Sequence, residues 1–388
     1  MDFELSQVQE DVRGAVASLC SEFDDAYWRT RDRTGGFPED FYQAFAQNGW
    51  LGICIPPAYG GSGLGISEAA IMMRTVAQSG AGMSGASALH MNIFGLNPVV
   101  THGNDAQKMR MLPPIVAGHE KACFAVTEPD AGLNTTRLKT RAVRHKDRFL
   151  VNGQKVWIST AQVADKILLL ARTTPLSDVR KPTDGLSLFY TNLDRRHIIV
   201  REIDKMGRNA IDSNELFIEN LEIPEDDLIG AEGQGFRYIL DGMNPERVLI
   251  AAEAIGLGQL ALSKAADYAK QRFVFDRAIG QNQAIQHPLA KNWLALEAAW
   301  LMTLRAAFQY DRGLEAGASA NAAKYLAGEA GFDACQQAVM THGGFGYAKD
   351  FHVERYLREV MIARIAPISP QLALCYIAER VLGLPKSY

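Results

Sequence analysis

Ala125-Val126-Thr127-Glu128-Pro129-Asp130-Ala131-Gly132 stands where a helical sequence pattern gives way to a strand pattern, and the organisation of the chain follows outward from it. Towards the N-terminus, from Ser6 to about Gly118, the period is helical. Leu5, Val8, Val12, Val16 and Leu19 recur at three- and four-residue steps behind Ser6, a suitable cap. Two loops dense in helix breakers interrupt this region, Thr34 to Pro38 and Pro56 to Gly63. Towards the C-terminus, between Lys121 and Gly230, strand-like runs appear at Phe149 to Ile158, Lys166 to Arg172, Gly185 to Leu193, Ile198 to Ile203 and Leu216 to Ile218. After Gly233-Gln234-Gly235 the helical period returns through Val248 to Lys270, Pro288 to Asp311, Ala318 to Met340 and Ser369 to Leu382. The pattern predicts an α+β chain of three domains: an N-terminal helical domain over 1–120, a middle β-barrel or sandwich over 121–232, and a C-terminal four-helix bundle over 233–388.

Bulk properties narrow the function. With 388 residues, 47% of them hydrophobic, the chain is too long for one compact core and has the composition of an ordinary globular protein. Forty Lys and Arg against 44 Asp and Glu give a formal net charge of -4 with no long run of either sign, so neither nucleic acid nor a membrane surface is expected as a partner. Cys20, Cys54, Cys123, Cys335 and Cys375 are odd in number and widely spread, which suits reduced thiols in a cytoplasmic protein and predicts no metal site. The start, Met1-Asp2-Phe3-Glu4-Leu5, has no leader pattern. The longest apolar stretch, Val248 to Leu262, is broken by Glu253 and Gln259 and falls short of the roughly 18 residues that cross a bilayer, so no membrane span is expected.

Three segments in register carry a family resemblance: Ala125 to Gly132, Asn152-Gly153-Gln154-Lys155-Val156-Trp157-Ile158-Ser159, and Gly343-Gly344-Phe345-Gly346-Tyr347 with Val353-Glu354-Arg355. Together they resemble the acyl-CoA dehydrogenases over nearly the whole chain. The resemblance implies a flavoprotein that binds FAD and acyl-CoA, with Val126 and Thr127 along the edge of the flavin ring. It also sets Trp157, Ile158 and Ser159 over one ring face, Ser159 standing where the family usually has Thr. Arg272, Phe275 and Gln283 match positions that reach the FAD of a neighbouring subunit, and Gly343 and Gly344 belong to the same cofactor pattern. A homotetramer built as a dimer of dimers is implied, as is an electron-transfer flavoprotein as acceptor.

The family's reaction needs one dehydrated carboxylate to remove the proton α to the thioester while the β hydride goes to flavin N5. Many members carry it in a loop before the last helix, but here that loop reads Ile365-Ala366-Pro367-Ile368-Ser369-Pro370, with Pro367 in the place of the Glu. Isovaleryl-type and long-chain-type members instead place a Glu directly before an Arg on a C-terminal-domain helix, and Met243-Asn244-Pro245-Glu246-Arg247 matches them. Glu246 is therefore the candidate base. Asn244 is expected to cap a helix whose first turn holds Pro245 and Glu246, and the bland alternative is that Glu246 only complements the helix dipole. Arg247 matches a CoA-binding position.

The chain departs from the family at four places. Leu133-Asn134 replaces Ser-Asp along the pantetheine path, Asp276 replaces a Gly after Phe275, and Met340 replaces a Gln that meets the neighbour's FAD. Pro367 has no N–H to polarise the thioester carbonyl, unless Ile368 supplies one. Small residues between Ser79 and Asn97 either widen an acyl pocket or allow close helix packing. An acyl-CoA oxidase, or another flavin-dependent oxidase or monooxygenase on the same fold, is the alternative reading. Oxidases are often longer at the C-terminus, whereas this chain stops at Tyr388.

Overall fold

The computed structural model describes residues 4–387; Met1, Asp2, Phe3 and Tyr388, on which the readings of the two chain ends partly rest, lie outside the described residues. The chain opens with α1 (Gln7–Cys20), α2 (Asp25–Thr34), α3 (Glu39–Gln47), α4 (Ile66–Val76), α5 (Gly82–His90), α6 (Asn97–His102) and α7 (Asp105–Val116). Ser6 caps α1 reciprocally: its Oγ accepts from Gln9 N at 3.3 Å, and the Gln9 side chain accepts from Ser6 N at 3.1 Å. Val12, Val16 and Leu19 of the predicted stripe are buried, while Val8 stays 50% exposed. Two π-helical turns, Ala77–Ala81 and Met91–Gly95, flank α5. The small residues near α5 serve packing: a Cβ on Gly82 would meet Glu359 Oε2 at 2.5 Å, and one on Gly85 would meet Trp28 at 3.0 Å.

The middle of the chain forms β1 (Ala122–Ala125), β2 (Arg141–His145), β3 (Arg148–Ser159), β4 (Lys166–Arg172), β5 (Leu186–Asn192), β6 (Ile198–Glu202), β7 (Ser213–Pro224) and β8 (Leu228–Ile229). Seven of them run β6-β7-β3-β2-β4-β5-β8, and β1 joins parallel to β4. The five predicted runs are all strands. The short strands β1 and β8 and the charged β2 carry too few alternating apolar residues to be seen in the sequence. Strand β4 explains the rest of the layering. Its Ile167, Leu169 and Ala171 pack with Phe149, Phe189 and Leu216, while Leu168 and Leu170 face the other way, against Leu112 of α7. A strand covered on both faces reads as one unbroken apolar run.

The C-terminal part holds α8 (Gly235–Gln271), a small hairpin of β9 (Phe273–Val274) and β10 (Arg277–Ala278), then α9 (Gln283–Asp311), α10 (Gly317–His342), α11 (Val353–Val360), α12 (Ile362–Ile365) and α13 (Pro370–Arg380). Helices α8 and α10 meet backbone to backbone. A Cβ on Gly258 would stand 3.0 Å from Gly331 Cα, and one on Gly331 would stand 2.6 Å from the Ala254 carbonyl oxygen.

Two expectations are corrected here. Helix α8 begins at Gly235, so Pro245 lies inside it, Asn244 does not cap it, and Glu246 is far from its first turn. Pro245 costs one i→i−4 hydrogen bond, but Ile239, Pro245, Val248 and Leu249 are buried on either side of that point, and tertiary packing carries the helix through. The alternative that Glu246 serves the dipole of a first turn falls with it. Helix α8 is also long and apolar enough to cross a bilayer by length and composition, as is the stretch Val353–Arg380. In α8 that apolar stretch is 72% buried inside the protein, and Val353–Arg380 is divided between α11, α12 and α13.

The segment Ala125 to Gly132 is held to β3 by a buried ion pair. Lys155 Nζ donates to Glu128 Oε1 at 2.9 Å, to the Val126 carbonyl at 2.9 Å and to the Leu170 carbonyl at 2.8 Å, while Val156 N donates to the Thr127 carbonyl at 3.0 Å. Burial pushes the Lys155 ammonium down to about 8 against the pull of Glu128. Burial would raise the Glu128 carboxyl, but Lys155 and hydrogen bonds from Thr140 and Lys139 hold it below its ordinary value. Removing one partner of such a pair leaves the other charge uncompensated. Lys155→Met is expected to lower unfolding free energy by about 3–5 kcal/mol, measurable by denaturant titration of the purified protein.

Candidate functional site

A cavity of about 420 Å³ lies where the three parts of the chain meet. Its first wall comes from the segment after β1 and from the end of β3: Val126, Thr127, Trp157, Ile158 and Ser159 all line it. The pairing of β3 with β7 shifts register between Lys155 and Ile158, and within that irregularity Trp157 takes φ 62°. A bulge with a residue in the left-handed region turns a side chain out of the pleat, and Trp157 is accordingly 59% exposed while Ile158 beside it is buried. The wall suits a flavin: a broad indole, a buried aliphatic side chain, and the Thr127 hydroxyl, which makes no hydrogen bond within the described residues.

The second wall is apolar, with Phe94, Phe124, Phe236, Met243 and Ile250. Set into it is an ionisable cluster. Glu246 and Glu253 lie two turns apart on one face of α8, and His90, the last residue of α5, joins them: its Nε2 meets Glu246 Oε2 and its Nδ1 meets Glu253 Oε1. Burial alone would lower the imidazole, but the two carboxylates and their hydrogen bonds outweigh it and push His90 up to about 10. Arg208 completes the group. Its Nη2 donates to Ser159 Oγ at 3.2 Å, its Nε is buried without a partner, and burial lowers it.

The predicted site residues separate into two places. Val126, Thr127, Leu133, Trp157, Ile158, Ser159, Glu246 and Arg247 line the cavity. Asn244 does not, but its Oδ1 accepts from Arg247 Nη1 at 3.1 Å. Arg272, Gly343 and Gly344 line a separate recess with Tyr268 and Phe345, and Gln283 is exposed on α9. Phe275, 94% exposed, stands at the tip of the β9–β10 hairpin, where Phe275 and Asp276 both have positive φ, 52° and 60°. Two such residues make the tight turn that a two-residue hairpin requires, so Asp276 keeps the turn that Gly would make more easily.

At Pro367 the cavity wall lacks an N–H. Ile368 also lines the cavity, and its N–H makes no hydrogen bond among the described residues. Its carbonyl accepts from Lys324 Nζ at 2.5 Å, and burial pushes that ammonium down to about 8. Sequence reasoning passed over His90, Arg208 and Lys324. Glu253 entered it only as a break in an apolar run, although its spacing from Glu246 already set both on one helix face.

Comparison with known proteins is consistent across the chain. Models of the acyl-CoA dehydrogenase N-terminal, middle and C-terminal domains match residues 6–119, 123–221 and 233–382. The chain is 35% identical to acyl-CoA dehydrogenase FadE12 of Mycobacterium tuberculosis, over 99% of this chain and 98% of that protein. Among solved structures, a glutaryl-coenzyme A dehydrogenase in complex with glutaryl-CoA superposes with a TM-score of 0.94 at 29% identity, covering 100% of this chain and 98% of the other. PigA with FAD and proline superposes with a TM-score of 0.94 at 26% identity, covering 99% and 100%.

If the first wall holds the flavin ring, its loss weakens the cofactor and not the fold. Trp157→Ala and Thr127→Val apoproteins are each expected to bind FAD about tenfold more weakly. Titration of the apoprotein with FAD, followed by flavin fluorescence, measures this.

Proposed function

This chain belongs to the acyl-CoA dehydrogenase family, and from that membership and the cavity we propose that it converts an acyl-CoA to the trans-2-enoyl-CoA with Glu246 as the base. The protein is an FAD-dependent oxidoreductase acting on acyl-CoA-like substrates. The assignment of the base rests on one observation. Glu246 lines the cavity, is only 9% exposed, and keeps Oε1 free of any hydrogen bond among the described residues, while Pro367 leaves the alternative loop without a carboxylate.

FAD, when bound, supplies the acceptor for the β hydride. The residues of the chain do the rest. Glu246 Oε1 takes the α proton in surroundings dry enough to make a carboxylate a useful base. The Ile368 N–H, its peptide held by Lys324 through the neighbouring carbonyl, donates to the thioester oxygen as charge develops there. Arg247, whose guanidinium is fixed by the Met243 carbonyl and Asn244, offers a cation to the CoA moiety, and Leu133 lies along the pantetheine path. The apolar wall keeps bulk water from the reacting carbons.

Assembly and electron transfer belong to the same reading. Arg272, Phe275, Gln283, Gly343 and Gly344 complete the FAD site of a neighbouring copy in a homotetramer. The 94% exposure of Phe275 and an Arg272 without a carboxylate partner among the described residues support this. A guanidinium suits a pyrophosphate. An electron-transfer flavoprotein takes the electrons, and the five unpaired cysteines suit a cytoplasmic setting.

The test compares the native holoenzyme with Glu246→Gln on a panel of straight and branched acyl-CoAs, following flavin bleaching without oxygen and turnover with ferrocenium or O2. Glu246→Gln should keep FAD and lose about 10²–10⁴-fold in rate. Bleaching at native speed would remove Glu246 as base, and turnover on O2 alone would make the protein an oxidase.

A further inference from the structure

Glu246 is bound into the cavity wall by a histidine on another helix. His90 reaches across from α5 and occupies Oε2 of Glu246 with one ring nitrogen and Oε1 of Glu253 with the other. A neutral imidazole donates from one nitrogen only, so donating to a carboxylate from both ring nitrogens at once takes the imidazolium. Glu253 has no exposure at all, and its Oε2 has no partner. Among the described residues its side chain hydrogen-bonds only to His90.

Other charges surround Glu246: Arg247 beside it on α8, Lys324 on α10, and Arg208 before β7. Each is hydrogen-bonded elsewhere, Arg247 to the Met243 carbonyl and Asn244, Lys324 to the Ile368 carbonyl, and Arg208 to Ser159. Among the described residues His90 is the cation that hydrogen-bonds the carboxylate itself.

We propose that His90 is a positioning residue for the reaction: an imidazolium, held charged by Glu253, that keeps Glu246 ionised and turns its free Oε1 towards the substrate. The inference rests on the reading of Glu246 as the base. An apolar pocket raises a carboxylic acid's pKa and costs the enzyme its ionised base, whereas a cation within hydrogen-bond reach favours the carboxylate. Fixing one oxygen also leaves a single geometry for the other, the kind of orientation that a free carboxylate loses to rotation. Glu253 keeps the imidazole charged at pH values where an unassisted buried histidine is neutral.

The experiment is the pH profile of anaerobic flavin bleaching by an acyl-CoA substrate in FAD-loaded native enzyme, His90→Gln, and the double variant His90→Gln with Glu253→Gln. Gln keeps a hydrogen-bond donor and removes the charge. The sign follows from the cation's effect: removing a positive charge that hydrogen-bonds the base disfavours the carboxylate form, so the acid limb of the profile moves to higher pH by about one unit. The double variant removes the buried carboxylate that His90→Gln would leave unpaired, so a test remains if the single variant does not fold. It should shift the same way, because His90 touches Glu246 directly and Glu253 stands beyond the ring. An acid limb unmoved in a folded, FAD-loaded variant, with Glu246→Gln inactive, overturns the role of His90 alone. Bleaching that survives Glu246→Gln overturns the reading of the base, and this inference with it.

Discussion

Two carboxylates on one face of a helix that runs through the protein interior have to be neutralised where they stand, and much of the surrounding architecture serves that requirement. Helix α8 carries Glu246 and Glu253 into a wall of Phe, Met and Ile side chains, and α5 ends at the one residue able to meet both. The π-helical turn that follows, Met91–Gly95, directly adjoins His90. Insertions of this kind commonly mark functional sites, because they rotate one stretch of helix relative to the next.

A second buried ion pair orders the other wall. Lys155 ties Glu128 to the carbonyls of Val126 and Leu170, so the segment after β1, strand β3 and strand β4 are fixed to one another at a single ammonium. The irregularity in β3 that turns Trp157 outward begins at that same lysine. Both walls thus use charge inside the fold to place groups that apolar packing alone would leave free to shift.

Most of the fold was legible in the sequence because its signals are periodic. The apolar run of β4 and the three- and four-residue spacing in α1 report layers covered on one side or on both. The candidate site was legible in part, through short segments whose residues stand close in the chain, such as Val126-Thr127 and Trp157-Ile158-Ser159. His90 was not legible. A single histidine among Gly, Ala and Ser residues carries no local pattern, and its partners stand on a helix from another part of the chain. Pro245 misled for a related reason: proline propensity describes an isolated helix, while α8 is stabilised by its neighbours on several sides.

The contact between Gly258 and Gly331 has a bearing on how this protein tolerates change. Ala254, whose carbonyl oxygen would meet any side chain added at Gly331, is the residue next to Glu253. A methyl group there, remote from cofactor and substrate alike, would push on the stretch of α8 that holds the ionised cluster in register with α5. Variation in this enzyme is therefore constrained by spacing as well as by chemistry, and an innocuous replacement in the bundle could silence it while every reacting group remained in the sequence.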